Sequence, residues 1–388
     1  MSTQVDRTRV ALVTGTRAEW GLLRAPALAI RASDRLDLHL IATAAHLSAN
    51  HGETVNEIIA DGFEVDARIP TLVDGDDTRA ISKSLANGVA AFADHFAQFR
   101  PDMVVVLGDR YEILGVVQAA LLSRIPVAHL CGGDITEGAF DDAIRHAITK
   151  MAHVHLVTNA DAARRVRQLG EDPAHIHNVG SPAIDAILEV ERISRSDLFA
   201  DLGLPERNRL ITATFHPPTL ETTDPMSQME ALLNAFDALG DDVAIILTGS
   251  NADTGAQRLT KMAERFASER AHVAFVTSLG QRRYFSALAV SDAVVGNSSS
   301  GLYDAPSFDV PTVNIGTRQQ GRLRATSVID CATTTPAITA AIAKAFAMDC
   351  TGTVNLYGDG HASRQIVRIL EAIEDPASLV VKRFHEVC

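Results

Sequence analysis

Acidic side chains crowd the ends of two neighbouring apolar runs in the first half of the chain. Asp109 lies in Gly108-Asp109-Arg110-Tyr111-Glu112, and Asp134, Glu137, Asp141 and Asp142 follow His129-Leu130-Cys131-Gly132-Gly133. Carboxyls gathered at one place raise one another's affinity for a proton, so the group can hold both a general base and a general acid. Each acid also has a plainer use. Asp109 can cap the helix that follows it, Asp141 and Asp142 suit the positive first turn of a helix, and Asp141 is spaced to pair with Arg145 one turn on. Capping and pairing account for one or two of these acids and do not require so many at adjacent strand ends.

A second set of residues suits the holding of an anion. In Gly296-Asn297-Ser298-Ser299-Ser300-Gly301-Leu302-Tyr303-Asp304 an apolar run opens onto three serines and a glycine, with an acid one turn later. Hydroxyls and free N–H groups at a helix start form a cradle for a diphosphate, and Asp304 could accept the two hydroxyls of a ribose. Arg318 and Arg322, in Gly316-Thr317-Arg318-Gln319-Gln320-Gly321-Arg322, add guanidiniums. Arg17, just after the Gly15-Thr16 turn, adds another, although a plain turn with a surface arginine explains it equally. Pro217 and Pro218 stiffen the loop after His216 and would aim that side chain outward. Asn251 falls in the small, polar turn Gly249-Ser250-Asn251-Ala252-Asp253.

These strings must be held by strands and helices in alternation. Near-continuous apolar runs at 10–14, 38–43, 103–108, 126–130 and 153–158 read as buried strands, with helical periodicity at 20–31, 77–99, 111–123 and 141–150 between them. The second half repeats the scheme, with strands at 210–214, 243–248, 273–277, 293–296 and 311–315. The expectation is α/β: two Rossmann-like, doubly wound parallel-sheet domains with a ligand cleft between them at the carboxyl ends of the strands. The first domain spans 1–186 and carries the carboxylates, 187–208 is a linker broken by Gly203 and Pro205, and the second domain spans 209–360. The tail 361–388 reads as a helix broken near Pro376 and packing back across the domains.

A formal charge of −13 opposes nucleic-acid or anionic-membrane partners, which need a basic face. No apolar run approaches the ~20 residues that span a bilayer. Four scattered cysteines, without a zinc-like spacing, and the lack of a signal peptide lead to the expectation of reduced thiols in a cytoplasmic protein.

Taken in order, GTRAEWG, LGDRYE, HLCGGDITEGAFDDAIRHAITK, TFHPP, GNSSSGLYDAP and NIGTRQQGR resemble the UDP-N-acetylglucosamine 2-epimerase family, specifically its hydrolysing branch, in which Ala18 is the better fit after GTR. The resemblance implies a glycosyltransferase-B-like fold, no metal or cofactor, a UDP-amino-sugar substrate, and release of UDP with a C2-inverted sugar through a glycal. It implies that Arg17, Arg110, His216, Asn251, Ser298, Ser299, Asp304 and Arg318 hold UDP, and that Asp109 and Asp141 are active-centre carboxylates. Cys131 stands where sialate-pathway members have Glu and Asp134 replaces a second Glu, so Asp134 becomes the candidate substitute acid and Cys131 either a packing residue or an acid/base group. The 135–146 run is closer to diacetylbacillosamine-type enzymes. A non-hydrolysing epimerase, a retaining glycosyltransferase and a non-catalytic UDP-sugar sensor are the competing readings, and a homo-oligomer, dimer or tetramer, is the expected assembly.

Overall fold

The computed structural model describes residues 7–49, 52–75, 77–135, 141–217, 224–249 and 256–387. These divide into two compact units, Met1–Ala186 with Tyr357–Cys388, and Ile187–Leu356. None of the described helices is long and apolar enough to cross a membrane.

In the first unit β1 (Thr8–Thr14), β2 (Leu36–Thr43), β3 (Ala67–Ile69), β4 (Met103–Leu107), β5 (Val127–Leu130), β6 (Val154–Val157) and β7 (Ile176–Asn178) form one sheet in the order β3-β2-β1-β4-β5-β6-β7. Every pairing is parallel. Helices cover both faces, which is why β4, β5 and β6 are buried throughout and read as unbroken apolar runs. Trp20, Leu23 and Ile30 of the helix Arg17–Arg31 pack on one face with Ile366 and Leu370 of the helix Ala362–Glu371. Phe92, Phe96, Ile113 and Val117 pack on the other.

The tail therefore completes the first unit's own core. Asp185 anchors it, its carboxylate accepting the backbone N–H groups of Ala362 at 2.9 Å and Ser363 at 2.6 Å. Ser33 donates to Glu371 at 2.6 Å at the far end. Its α-helix stops at Glu371 and only a short 3₁₀ turn, Pro376–Val380, follows, because proline starts a turn readily and cannot continue a helix.

The second unit holds β8 (Arg209–Thr214), β9 (Val243–Thr248), β10 (Val273–Val276), β11 (Ala293–Gly296), β12 (Thr312–Ile315) and β13 (Val328–Cys331) in the order β10-β9-β8-β11-β12-β13, again all parallel. The segment 187–208, expected as a linker, contributes to this unit's core. Ser194 caps the helix Arg195–Asp201 by accepting the Asp197 N–H at 3.1 Å. Leu198 and Phe199 on its inner side are fully buried against Leu210 and Ile246, each contributing about 1.5–3 kcal/mol. The charged residues that suggested a linker are this helix's outer face.

Strand order reverses once in each sheet, between β1 and β4 and between β8 and β11. Connections leave these neighbours in opposite directions, so a crevice opens beyond their carboxyl ends.

Candidate functional site

At the second unit's reversal β8 runs into Phe215-His216 and β11 into Asn297. Gly296, at φ 142°, allows the passage: a Cβ there would lie 1.9 Å from the Thr214 carbonyl oxygen, so no other residue fits. Asn297 is buried and bridges the two strand ends. Its Oδ1 accepts the His216 N–H at 2.7 Å, and its Nδ2 donates to the His216 carbonyl at 2.8 Å. Its own carbonyl accepts Arg318 Nη1 at 3.2 Å and Gln319 Nε2 at 2.8 Å. One amide thereby ties together the loops bearing His216, the serines and Arg318. His216 is only 6 % exposed, contrary to the outward orientation expected from Pro217, because this double clamp holds its backbone in.

The three serines differ in their engagements. Ser299 stands at the cap of a one-turn helix, Ser300–Tyr303, and makes no side-chain cap bond. Ser298 Oγ accepts a long 3.4 Å bond from the Ser300 N–H, and Ser300 Oγ pairs with the Tyr284 hydroxyl at 2.6 Å. Asp304 follows directly. Burial pushes its carboxyl up to about 6, the Ser300 hydrogen bond opposing the rise, so a ligand donating two hydroxyls would meet an acceptor it also helps to ionise. Asn251 lies outside the described residues.

At the first unit's reversal, Thr16 caps the helix Arg17–Arg31 by accepting the Glu19 N–H at 3.2 Å, and Glu19 reaches back to the Gly15 N–H at 2.6 Å. This is a near relative of the capping box. Arg17 and Arg110 line a cavity of about 910 Å³ with Thr16, Ser48, Thr54 and Asp74. Arg110 stands at the cap position of the helix Tyr111–Leu122, and its Nε donates to Glu112 at 2.5 Å.

Asp109 is thus not the cap of that helix. It forms a salt bridge with buried Arg145, whose Nη1 also reaches Asp142 at 3.2 Å and the Asp134 carbonyl at 2.8 Å. The expected Asp141–Arg145 pair is replaced by these contacts, because Arg145 points into the unit while Asp141 opens the helix Asp141–Met151 at a partly exposed position. The Asp134 carboxylate is held by Thr158 Oγ1 at 2.9 and 3.1 Å and by Asn159 Nδ2 at 3.2 Å. Gly133 permits that turn: at φ +78°, a Cβ would come within 2.5 Å of the Ala162 carbonyl.

Cys131 sits at φ 63° against the core. Burial, with the Asp134 charge adding to it, pushes its thiol far above the ordinary range, so the sulfur stays protonated and fits a packing role. Fully buried His129 joins β5 to β4 through Nε2 and the Gly108 carbonyl at 2.7 Å, and Thr149 meets its Nδ1 at 3.2 Å. A carbonyl can only accept, which places the proton on Nε2. Burial holds this ring down to about 3, the Gly108 bond opposing the shift, so it is an uncharged brace.

Sequence reasoning passed over Asn297, Gln319, Tyr284, Glu19 and His129. The Thr16-x-x-Glu19 spacing was available as a cap signal; the other four act through partners distant in the chain.

Residues 28–371 match the family described as UDP-N-acetylglucosamine 2-epimerase. The chain is 38 % identical over 327 residues to the GDP/UDP-N,N'-diacetylbacillosamine 2-epimerase (hydrolyzing) of Campylobacter jejuni, covering 84 % of this chain and 85 % of that one. It is 33 % identical to the UDP-N,N'-diacetylbacillosamine 2-epimerase (hydrolyzing) of Legionella pneumophila, covering 94 % and 96 %. Among solved structures, the UDP-GlcNAc 2-epimerase of Neisseria meningitidis bound to UDP-GlcNAc shares the fold, with a TM-score of 0.75 at 17 % identity over 94 % of this chain and 99 % of that one.

Proposed function

The chain belongs to the UDP-N-acetylglucosamine 2-epimerase family, and from that premise we propose that it is a hydrolysing member that releases UDP from a UDP-linked 2-acetamido sugar while inverting C2. The observation that carries this reading is the match, across most of both chains, to relatives named as hydrolysing. Those names favour a 2,4-diacetamido-6-deoxy sugar over N-acetylglucosamine as substrate.

The second unit's reversal supplies the nucleotide site. Ser298, Ser299, His216 and Arg318 hold the diphosphate, Asp304 takes the ribose hydroxyls, and Asn251, Arg17 and Arg110 add polar contacts. Cations and N–H donors aimed at the diphosphate stabilise the charge it gains as it leaves C1. The first unit supplies the proton transfers. The C2 proton is weakly acidic, so it passes to a carboxylate while the C1–O electron pair departs with UDP, leaving a C1=C2 double bond. A second acid then returns a proton to C2 from the opposite face and water adds to C1. Asp109 and Asp141 take these roles. Arg145 fixes the orientation of Asp109, which suits a base that must meet the C2 proton at a set angle. Asp134, held by Thr158 and Asn159, positions the loop and is the reserve acid, and Cys131 packs. The same reading makes the protein a cytoplasmic homo-oligomer, dimer or tetramer, a size that light scattering measures.

Incubation with UDP-N-acetylglucosamine and with its 2,4-diacetamido-6-deoxy counterpart, products followed by NMR, tests the assignment. Free UDP with a 2-epimerised free sugar, faster from the second substrate, is expected. An epimerised UDP-sugar without free UDP would make the enzyme non-hydrolysing, a requirement for an acceptor would make it a glycosyltransferase, and tight binding without conversion would make it a sensor.

A further inference from the structure

Beyond its 3₁₀ turn the tail fastens a joint of the first unit that the proposed reaction does not touch. The Lys382 ammonium donates to the Lys150 carbonyl, the Ala152 carbonyl and Glu171 Oε2, each at 2.6 Å. An ammonium has three donors, and all three are taken. Glu171 is only 1 % exposed, and its carboxylate also meets Lys150 Nζ at 2.8 Å and His155 Nε2 at 2.9 Å. Burial would raise this carboxyl, but the His155, Lys150 and Lys382 bonds outweigh it and hold the group at about 2. Beside this seat the His385 N–H donates to the Gly170 carbonyl at 2.9 Å. The Phe384 ring lies over Gly170, where a Cβ would overlap it, and Lys150 Nζ stands 4.8 Å from the ring centroid.

The two carbonyls mark the end of the helix Asp141–Met151 and the entry to β6. The helix's first turn carries Asp141 and Asp142, and Arg145 one turn on holds Asp109 and the Asp134 carbonyl. From the same joint β6 runs to Thr158 and Asn159, which hold the Asp134 carboxylate. Every acid assigned above to the proton transfers is thus carried or gripped by an element that starts or ends at the seat of Lys382. A cation suits that place, because the last carbonyls of a helix bear partial negative charge. Of this helix only Arg145, Ile148 and Thr149 are buried, a narrow stripe that leaves its tilt to the contacts at its ends.

We propose that Lys382 is a positioning residue for the proton transfers, setting the tilt of the helix Asp141–Met151 from the end remote from the acids. The helix has 11 residues and so is about 16 Å long, and a tilt of about 4° displaces its first turn by roughly 1 Å. A displacement of that order costs up to about 10²-fold in rate when it parts a base from its proton. Lys382 acts through the helix and Arg145, not on the substrate.

That the positioned step is a C2 proton transfer rests on the function proposed above; the seating of the helix does not. Hydrogen exchange followed by mass spectrometry and steady-state kinetics of the full chain separate the two. Lys382→Met keeps the aliphatic stem and removes the three donors. Amide exchange over residues 141–152 should then rise by roughly tenfold or more, with the second unit unchanged. Turnover, counted per UDP-binding site, should fall by roughly ten- to a hundredfold, with KM within about twofold. The isotope effect of a C2-deuterated substrate on kcat should grow as proton transfer becomes slower. Lys382→Arg, which restores the donors, should recover turnover to within about threefold. Arg383→Ala, which removes the same charge one residue along from an exposed position, should change neither measurement. A Lys382→Met protein with unchanged exchange over 141–152 overturns the seat. Raised exchange with full turnover per UDP-binding site, or a loss that lies in KM, overturns the positioning role. If the unsubstituted protein turns over no UDP-sugar, the proposed function falls, and the exchange result still decides whether Lys382 holds the helix.

Discussion

The two strand reversals share a topology and bury opposite chemistry. Between β8 and β11 the bridge is Asn297, an amide with no charge to gain or lose, and the unit's other buried polar side chains are mostly hydroxyls and amides such as Thr212, Gln228, Thr312, Asn314 and Gln319. Between β1 and β4 the helices that follow carry the buried acids Glu19 and Glu112 in their first turns, and the same unit buries Arg145, His46, His129, His153, His155, Glu171 and Asp185. A neutral bridge can be fully satisfied and gives a rigid frame at any pH, which suits the anion-holding role proposed for it. Buried ionisable groups lose stability and gain responsiveness, which suits the proton transfers proposed for that unit. On the function proposed above, most of the holding falls to the second unit and the proton transfers to the first, although Arg17 and Arg110 of the first unit also contact the nucleotide.

Single substitutions should fall on one side of this division. Asp109→Asn should lower turnover by about 10²–10⁴-fold while UDP affinity, measured by calorimetry, stays within about twofold of the unsubstituted protein. A comparable loss of UDP affinity would break the division. Arg318→Ala should do the reverse, weakening UDP binding by roughly ten- to a hundredfold through loss of charge-assisted bonds, with a smaller drop in turnover at saturating substrate.

Stability should divide in the same way with pH. His46 and His129 have folded values pushed down to about 4 and about 3, so the stability from keeping them neutral is present above the ordinary histidine value of 6.5 and is lost as pH falls toward those values. Hydrogen exchange followed by mass spectrometry on acidification should show the first unit opening before the second. Glu19 acts oppositely. Its folded value of about 7 lies above the ordinary 4.5, so its stabilising effect is complete below 4.5 and is lost as pH rises through about 7. Glu19→Gln should therefore raise stability by about 3 kcal/mol at about pH 8 and by almost nothing at about pH 4 in urea unfolding. The smallest effect is expected from Cys131→Ser, with kcat within about twofold of the unsubstituted protein; a large loss would return the thiol to the reaction.

How much of this was legible in the sequence depended on the reach of each interaction. Central strands such as β1, β4, β8 and β9 were plain because burial on both faces writes an apolar run. The edge strands β3, β7 and β13 are short and include Arg68, His177 and Asp330, so they left no such run, and the helix Arg195–Asp201 was obscured by its charged outer face. The strings around Asp109, Asp134, His216 and Ser298 stood out because glycine, acid and serine at strand ends are local features. Their partners were not legible. Asn297 meets His216 across 81 positions of sequence and Arg145 meets Asp109 across 36, and only the strand order brings such residues together.

The division of labour stands or falls on the fate of the C2 proton. Single-turnover reaction with the UDP-sugar in deuterium oxide, with products examined by NMR, reads it directly. One free UDP for each free sugar, with deuterium at C2 of the inverted sugar, is the predicted result. UDP released with C2 still carrying its original hydrogen would contradict proton transfer by the first unit's carboxyls, and with it the account of both units.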